Sequence, residues 1–284
     1  MKRLLSFLTV LLLLMPTAVD ASSTKVNNIG IICQIDQNGT ATFVEKWDMD
    51  VSEGTEGYKI FNGMNDQPLT LIGVTDDRGV TYKNIGTWDS DVSRESKINK
   101  CGLIKDGGHY ELCFGLGDYG TRSYTMVYQI EHFVNQYKDQ QGINYAFISD
   151  MSFDVTIHVT GMTPYSKENA KIWAFGYSGS VNFDNGGVTL KTDSLGSNKM
   201  QLLMCLESNS YTSPNKRHAS EKFEDVVKDA KEGSSYSSGM SKAAMIMIFI
   251  FIIFVIVMLI FIIAAVIVFS DSGVVFENGR IIKG

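Results

Sequence analysis

Glu45 is the residue whose setting most invites chemistry. From Ala41 to Asp50 the side chains alternate: Phe43, Glu45, Trp47 and Met49 share one face, and Val44, Lys46, Asp48 and Asp50 share the other. The carboxylate therefore stands among large apolar groups, where a charge needs a bonded partner. Two roles are open. Glu45 could be an acid/base group or a ligand contact, with Trp47 beside it to hold an apolar part of the ligand. It could equally be a structural carboxylate bonded to backbone amides or to a Lys or Arg, which is the ordinary fate of such a residue.

The remaining candidates are sparse. The sequence has no GxSxG, HExxH or GxxxxGK[ST] motif. SxxK spacings occur at Ser22–Lys25 and Ser213–Lys216, without the companion motifs that make an acylating serine credible. The four His residues (109, 132, 158, 218) are scattered. Asp48/Asp50 and Asp89/Asp91 are spaced carboxylates, but a calcium loop needs more oxygen ligands and a supporting Gly. The reading is therefore no catalytic set, no metal site and no cofactor, with Glu45 and Trp47 as the binding candidates.

The cysteines are 33, 101, 113 and 205, with no CxxC pair that would suggest zinc. Cys101 and Cys113 flank a hairpin, CGLIKDGGHYELC. With a loop of Asp106-Gly107-Gly108, Lys105 faces His109 and Cys101 falls opposite Cys113, so a cross-strand disulfide and two free thiols are both open. Cys33 and Cys205 lie in the first and last strand-like runs and suit buried apolar positions.

The elements that must carry these residues are mostly strands. Ile29 to Asp36 and Ala41 to Asp50 form a pair around Gln37-Asn38-Gly39-Thr40. Asn-Gly is a turn signal, and Asn38-Gly39-Thr40 also fits a glycosylation acceptor. Further strands are expected at 58–61, 69–74, 80–84, 122–134, 143–148, 152–160, 170–177, 179–184, 187–192 and 199–206. In the longest, Tyr124, Met126, Tyr128, Ile130 and His132 line one side. Turns are expected at Asp76-Asp77-Arg78-Gly79 and Asn185-Gly186-Gly187. Helical spacing appears only late, in Phe223, Val226, Val227 and Ala230. Ser213 before Pro214 could start that helix, and Gly233 would end it.

Two stretches bear on location. Lys2 and Arg3 precede an apolar run, Leu4 to Met15, and Ala18-Val19-Asp20-Ala21 resembles a signal-peptidase site. Residues 243–269 contain no charge, Gly, Pro or hydroxyl. As a helix they would extend about 40 Å at about 1.5 Å per residue, enough to span a bilayer core of about 30 Å. The expected layout is a signal peptide (1–21), an exported β-sandwich-like domain (22–212), a juxtamembrane amphipathic helix (213–232), a linker (233–242), a transmembrane helix (243–269) and a cytoplasmic tail (270–284). Setting aside Lys2, Arg3, Arg280 and Lys283, and Asp20, Asp271 and Glu277, residues 22–242 carry 21 basic and 28 acidic residues. That balance of −7 argues against nucleic acid as a partner.

Three stretches carry a resemblance. IDQNGTATFVEKWDMD resembles the opening motif of the bacterial membrane-protein family named domain of unknown function 2207, and Glu45 matches the motif Glu. GTRSYTMVYQI is similar to that family's tyrosine-rich strand, and KIWAFGYSGSVNF to its Trp-Gly hairpin. The resemblance covers most of residues 22–270 and implies a mainly β exported domain ahead of membrane-spanning helix, marking a fold rather than a reaction. The expectation is a single-pass cell-membrane protein, anchored in the lipid bilayer through 243–269, acting as a binding or interaction module for an envelope protein or glycan. A surface hydrolase or transferase using carboxylates, and a signalling or assembly subunit acting through the membrane helix, are the alternatives.

Overall fold

The computed structural model describes residues 24–149, 153–192 and 199–233, and the backbone of the short strands 275–277 and 280–282. The chain divides into two compact units, residues 1–234 and 235–284. Among the described residues of the second, Val275–Glu277 pairs antiparallel with Arg280–Ile282. The expected signal peptide at 1–21 and the expected span at 243–269 lie outside the described residues, and no helix among the described residues is long and apolar enough to cross a membrane.

The first unit is mainly β. Its strands are β1 (Lys25–Ile35), β2 (Ala41–Val51), β3 (Glu56–Phe61), β4 (Leu69–Asp76), β5 (Lys83–Thr87), β6 (Lys100–Asp106), β7 (His109–Gly115) and β8 (Gly120–Ile130). There follow β9 (Asn135–Gln136), β10 (Gln141–Ser149), β11 (Asp154–Thr160), β12 (Ala170–Phe175), β13 (Gly179–Asp184), β14 (Gly187–Thr192) and β15 (Lys199–Leu206). A short helix, α1 (Arg94–Lys97), precedes β6, and α2 (Phe223–Gly233) ends the unit.

Three sheets result: seven strands in the order β13-β14-β11-β1-β2-β8-β4, four in the order β12-β15-β10-β9, and four in the order β3-β7-β6-β5. The alternation in β2 sorts its residues: Phe43, Glu45, Trp47 and Met49 are buried, whereas Val44 and Lys46 are exposed. On the buried face Phe43 meets Tyr145 and Phe147 of β10, while Trp47 meets Phe114 of β7. Phe61 of β3 packs edge-on against Tyr128 of β8. Both four-stranded sheets thus cover one face of the seven-stranded sheet, forming two layers around one apolar core.

Turn chemistry sets the registers. Between β1 and β2, Asp36 Oδ1 accepts from the backbone N–H of Asn38 and Thr40, and Gly39 takes φ 82°. That positive φ is why glycine stands there. Asn185 and Gly186, at φ 49° and 74°, make the tight turn between β13 and β14.

Several expectations need correction. The 101–113 hairpin closes on two residues, Gly107-Gly108, because Asp106 pairs with His109. Lys105 then faces Tyr110, Cys101 faces Phe114 and Cys113 faces Gly102. A shift of one residue sends the two cysteines to opposite faces of the sheet, so no bridge joins Cys101 to Cys113, and all four thiols are free. His132 does not continue the inward row of β8. The strand ends at Ile130, and His132 sits in a turn at φ 52°. The late helix starts at Phe223 rather than near Ser213. Asn215 is held instead against β9, its N–H donating to Val134 O at 2.7 Å and its carbonyl accepting from Gln136 N at 2.7 Å. The strand expected from Val80 begins at Lys83.

Helix α2 packs on the four-stranded sheet that contains β15. Phe223 and Val227 are buried with Tyr137, Phe175, Leu203 and Cys205, which ties the end of the unit to its body.

Candidate functional site

Glu45 and Trp47 come together, at the junction of the three sheets. Glu45 is fully buried. Its Oε1 accepts from the Trp47 indole N–H at 2.7 Å, while Oε2 accepts from Lys59 Nζ at 2.6 Å and from the Tyr128 hydroxyl at 2.7 Å. Lys59 reaches inward from β3 and also donates to Phe147 O of β10 at 3.2 Å. Its ammonium stands 5.4 Å from the Phe61 ring centroid and 5.7 Å from that of Tyr128. Burial, and after it the Glu45 charge, push the Tyr128 phenol well above its ordinary pKa, so it remains a donor. The same two causes raise Tyr145.

This arrangement makes one charge-assisted knot from β2, β3, β8 and β10. Every oxygen of Glu45 has a donor, and Lys59 is only 8% exposed. No face of the carboxylate is open to a ligand. A Lys partner was one of the two roles open to Glu45 from its position in the sequence. Lys59 itself was overlooked, although the alternation Tyr58-Lys59-Ile60-Phe61 places it on the side of Phe61.

A second Trp–Glu–Lys cluster follows. Glu56 Oε2 forms an ion pair with Lys97 Nζ at 3.0 Å and accepts from the Trp88 indole N–H at 2.6 Å. Lys97 is buried and donates to Thr55 Oγ1 at 3.0 Å and Ser90 O at 2.7 Å. Glu56 and Lys59 lie on the same edge strand, so β3 is clamped at both ends.

The third cluster centres on Asp76. Arg78 donates from Nε and Nη2 to its Oδ2 at 2.9 and 2.7 Å, and the N–H groups of Arg78 and Val80 donate to its Oδ1 at 3.0 Å. Burial alone would raise the Asp76 carboxyl, but these bonds, with the Arg78 side chain foremost, hold it below the usual carboxylate range. Arg122 bridges to Asp77 at 2.7 Å, and Arg78 also pairs with Asp118. The cluster pins the β4–β5 turn.

Burial raises the thiols: Cys101 is pushed up to about 11 and Cys113 to about 12. Thiols so placed are poor nucleophiles. Among the described residues, no group of three or more His, Cys, Asp or Glu is arranged to hold a metal ion. A GxGxxG spacing, Gly115 to Gly120, also escaped notice in the sequence. It joins β7 to β8, strand to strand, and lacks the following helix whose N-terminus would receive a phosphate.

Among the described residues the other face of the seven-stranded sheet is left uncovered. Ile32, Val44 and Ile72 are exposed there by 55%, 37% and 51%. Cross-strand register aligns Ile32 with Val44, Val44 with Val127, and Val127 with Gly73, next to the bulged Ile72. An aliphatic row thus crosses β1, β2, β8 and β4.

The model of the N-terminal domain of a family described as predicted membrane protein (DUF2207) matches residues 25–200. No curated protein matches the chain. Solved structures with some likeness include a putative protease from Parabacteroides distasonis, 12% identical, with a TM-score of 0.37 over 66% of this chain and 41% of that one. Another is an M1 zinc metallopeptidase from Deinococcus radiodurans, 10% identical, with a TM-score of 0.36 over 64% of this chain and 42% of that one. A putative nutrient binding protein from Legionella pneumophila is 9% identical, with a TM-score of 0.34 over 65% of this chain and 68% of that one. The chain spans about two fifths of the length of the two peptidases. Likeness at this level carries nothing about activity.

Proposed function

We propose a binding role for this chain, which belongs to the DUF2207 family of predicted membrane proteins. In this reading residues 1–21 direct export, 243–269 anchor the chain in the lipid bilayer as a single-pass cell-membrane protein, and 270–284 stay in the cytoplasm. The exported β domain then works as an interaction module of the cell envelope, engaging a protein through the open face of its seven-stranded sheet.

The observation that carries the reading is the exposed row of Ile32, Val44 and Ile72 on that face. Contiguous apolar surface framed by polar residues marks an interaction site more often than scattered apolar residues do. The frame here is Gln34, Thr42, Gln129 and Thr70 on one side and Lys46, Thr125 and Thr75 on the other, by strand register. By register no Trp, Tyr or Phe of the described strands stands on this face, where the one ring is the His158 imidazole opposite Ile32, and this favours a protein over a glycan. A hydrolase built on Glu45 has no support from the geometry, since that carboxylate is enclosed and fully bonded.

The test is a photo-crosslinking residue at position 44 of the full chain in intact cells, with position 224 on the exposed side of α2 as control. Specific protein adducts at 44 and none at 224 are expected. Equal or absent labelling at the two positions overturns the reading.

A further inference from the structure

The turn between β1 and β2 carries a motif that neither the fold nor the open face uses. Asp36-Gln37-Asn38-Gly39-Thr40 contains the acceptor pattern Asn-x-Ser/Thr for an N-linked sugar. No other Asn of the chain is followed at the second position by Ser or Thr.

Only two of these positions are fixed by the turn. Asp36 Oδ1 accepts from the N–H groups of Asn38 and Thr40 at 2.9 and 3.0 Å, and Gly39 supplies the positive φ of 82°. The N–H of Gly39 donates to Asp36 O at 3.0 Å, and that of Asp36 to Thr40 O at 3.0 Å, which closes the hairpin. Asn38 is not among the residues of positive φ, so its backbone suits most side chains. Asn38 and Thr40 thus give the turn their backbone alone.

Their side chains are placed for modification. Asn38 is exposed at the tip of the turn. Its Oδ1 accepts from the Thr212 hydroxyl at 2.9 Å, while its Nδ2 makes no bond to the described residues. Nδ2 is the nitrogen that an N-linked sugar takes. Thr40 is half-exposed, and its Oγ1 makes no bond to the described residues either. The attachment point lies beyond the last β1–β2 pair, Ile35 and Ala41, so it stands clear of the aliphatic row at Ile32 and Val44.

We propose that Asn38 is the acceptor of an N-linked oligosaccharide, added at the outer side of the membrane before the β1–β2 turn closes. The proposal rests on the reading that the domain is exported. The donor class is an oligosaccharide carried on a polyprenyl diphosphate. Asn38 Nδ2 attacks the anomeric carbon of the first sugar and a C–N bond forms. The C–O bond to the diphosphate breaks, its electron pair leaves with the polyprenyl diphosphate, and Nδ2 gives one proton to a base of the transferase. Asp36, two residues ahead of Asn38, supplies the acid that bacterial transferases of this class require; its carboxylate is free until the turn closes on it.

The test is a tryptic digest of the full chain purified from its native cells. Asn38 falls in the peptide Val26–Lys46, because no Lys or Arg lies between Lys25 and Lys46. The expected spectrum shows this peptide with added sugar mass, located at Asn38 by fragmentation, in the wild type and in Thr40→Ser. Asn38→Gln and Thr40→Val, each with thermal unfolding unchanged, give the peptide at its bare mass. The N-terminus of the same preparation reports export, with Ser22 expected as the first residue. A bare Val26–Lys46 peptide from a chain that starts at Ser22 overturns the proposal and leaves the export reading intact. Sugar that persists on this peptide in Asn38→Gln also overturns it. A bare peptide from a chain that keeps residues 1–21 overturns both.

Discussion

Removing the Lys59 ammonium tests how the three sheets are joined. In Lys59→Met the side chain keeps its length, so the packing against Phe61 and Tyr128 survives while the charge is lost. Glu45 then loses its bond at 2.6 Å and Phe147 O loses its donor at 3.2 Å. Trp47 and Tyr128 still donate to the carboxylate, but neither carries a charge to compensate it. Breaking a buried ion pair from one side costs about 3–5 kcal/mol, because the remaining charge is stranded. For a domain of this size each kcal/mol moves Tm by about 2–4 °C, so a fall of roughly 6–20 °C is expected. The assay is urea and thermal unfolding of residues 24–233. Glu45→Gln and the double variant Glu45→Gln/Lys59→Met complete a cycle. The double variant leaves no stranded charge and should be more stable than Lys59→Met alone. A loss below about 1 kcal/mol in Lys59→Met, typical of exposed pairs, would refute the buried knot. So would additive effects across the cycle.

Other outcomes follow from the same geometry. Asp76 has its carboxyl held low in the folded state, so it binds fewer protons than the unfolded chain between its folded value and the ordinary carboxylate value of about 3.9. Its contribution is present above that value and is lost as the pH falls through the folded one; Asp76→Asn should flatten the acid limb of the stability profile below about pH 4. With all four cysteines free and buried, native protein should not react with a thiol reagent, and all four should react after unfolding; an intact mass about 2 Da low would contradict this. Phe223→Ala should cost about 3–5 kcal/mol by emptying the contact between α2 and the β15 sheet, read as protease cleavage within 223–233. At Gly142, an added Cβ would stand 2.5 Å from the Phe223 ring and 2.7 Å from Met204 O, so Gly142→Ala should give the same protease sensitivity.

Much of the fold was legible in the sequence because strand alternation and turn residues are local. The β1–β2 turn, the β13–β14 turn and the inward face of β2 all follow from neighbours within a few positions. The misreadings share a different cause. The 101–113 hairpin offers three candidate loop residues, and only the pairing of Asp106 with His109 decides between two and three. Choosing three carried both cysteines to one face. Asn215 was placed in a helix because nothing in its neighbourhood reveals Val134 and Gln136, some eighty residues away, as its backbone partners. Glu45 was identified as a buried carboxylate for the right reason, but its three donors come from positions 47, 59 and 128. Only the first of these is a local fact.

The two Trp–Glu–Lys knots explain what is left on the surface. This domain joins a seven-stranded sheet to two smaller ones along a seam where β3 and β10 are not paired to each other. Hydrogen bonds between strands cannot close that seam. Lys59 does so with one side chain, bonding Glu45 of the large sheet and Phe147 O of β10 while standing on β3. Lys97 and Glu56 fasten the other end of β3. These ionic groups are thereby engaged in holding the layers together. The covering sheets also occupy only one side of the seven-stranded sheet, so its other side keeps an aliphatic row facing solvent. The buried charges of this fold thus serve its internal joints, and the aliphatic row across β1, β2, β8 and β4 is left uncovered.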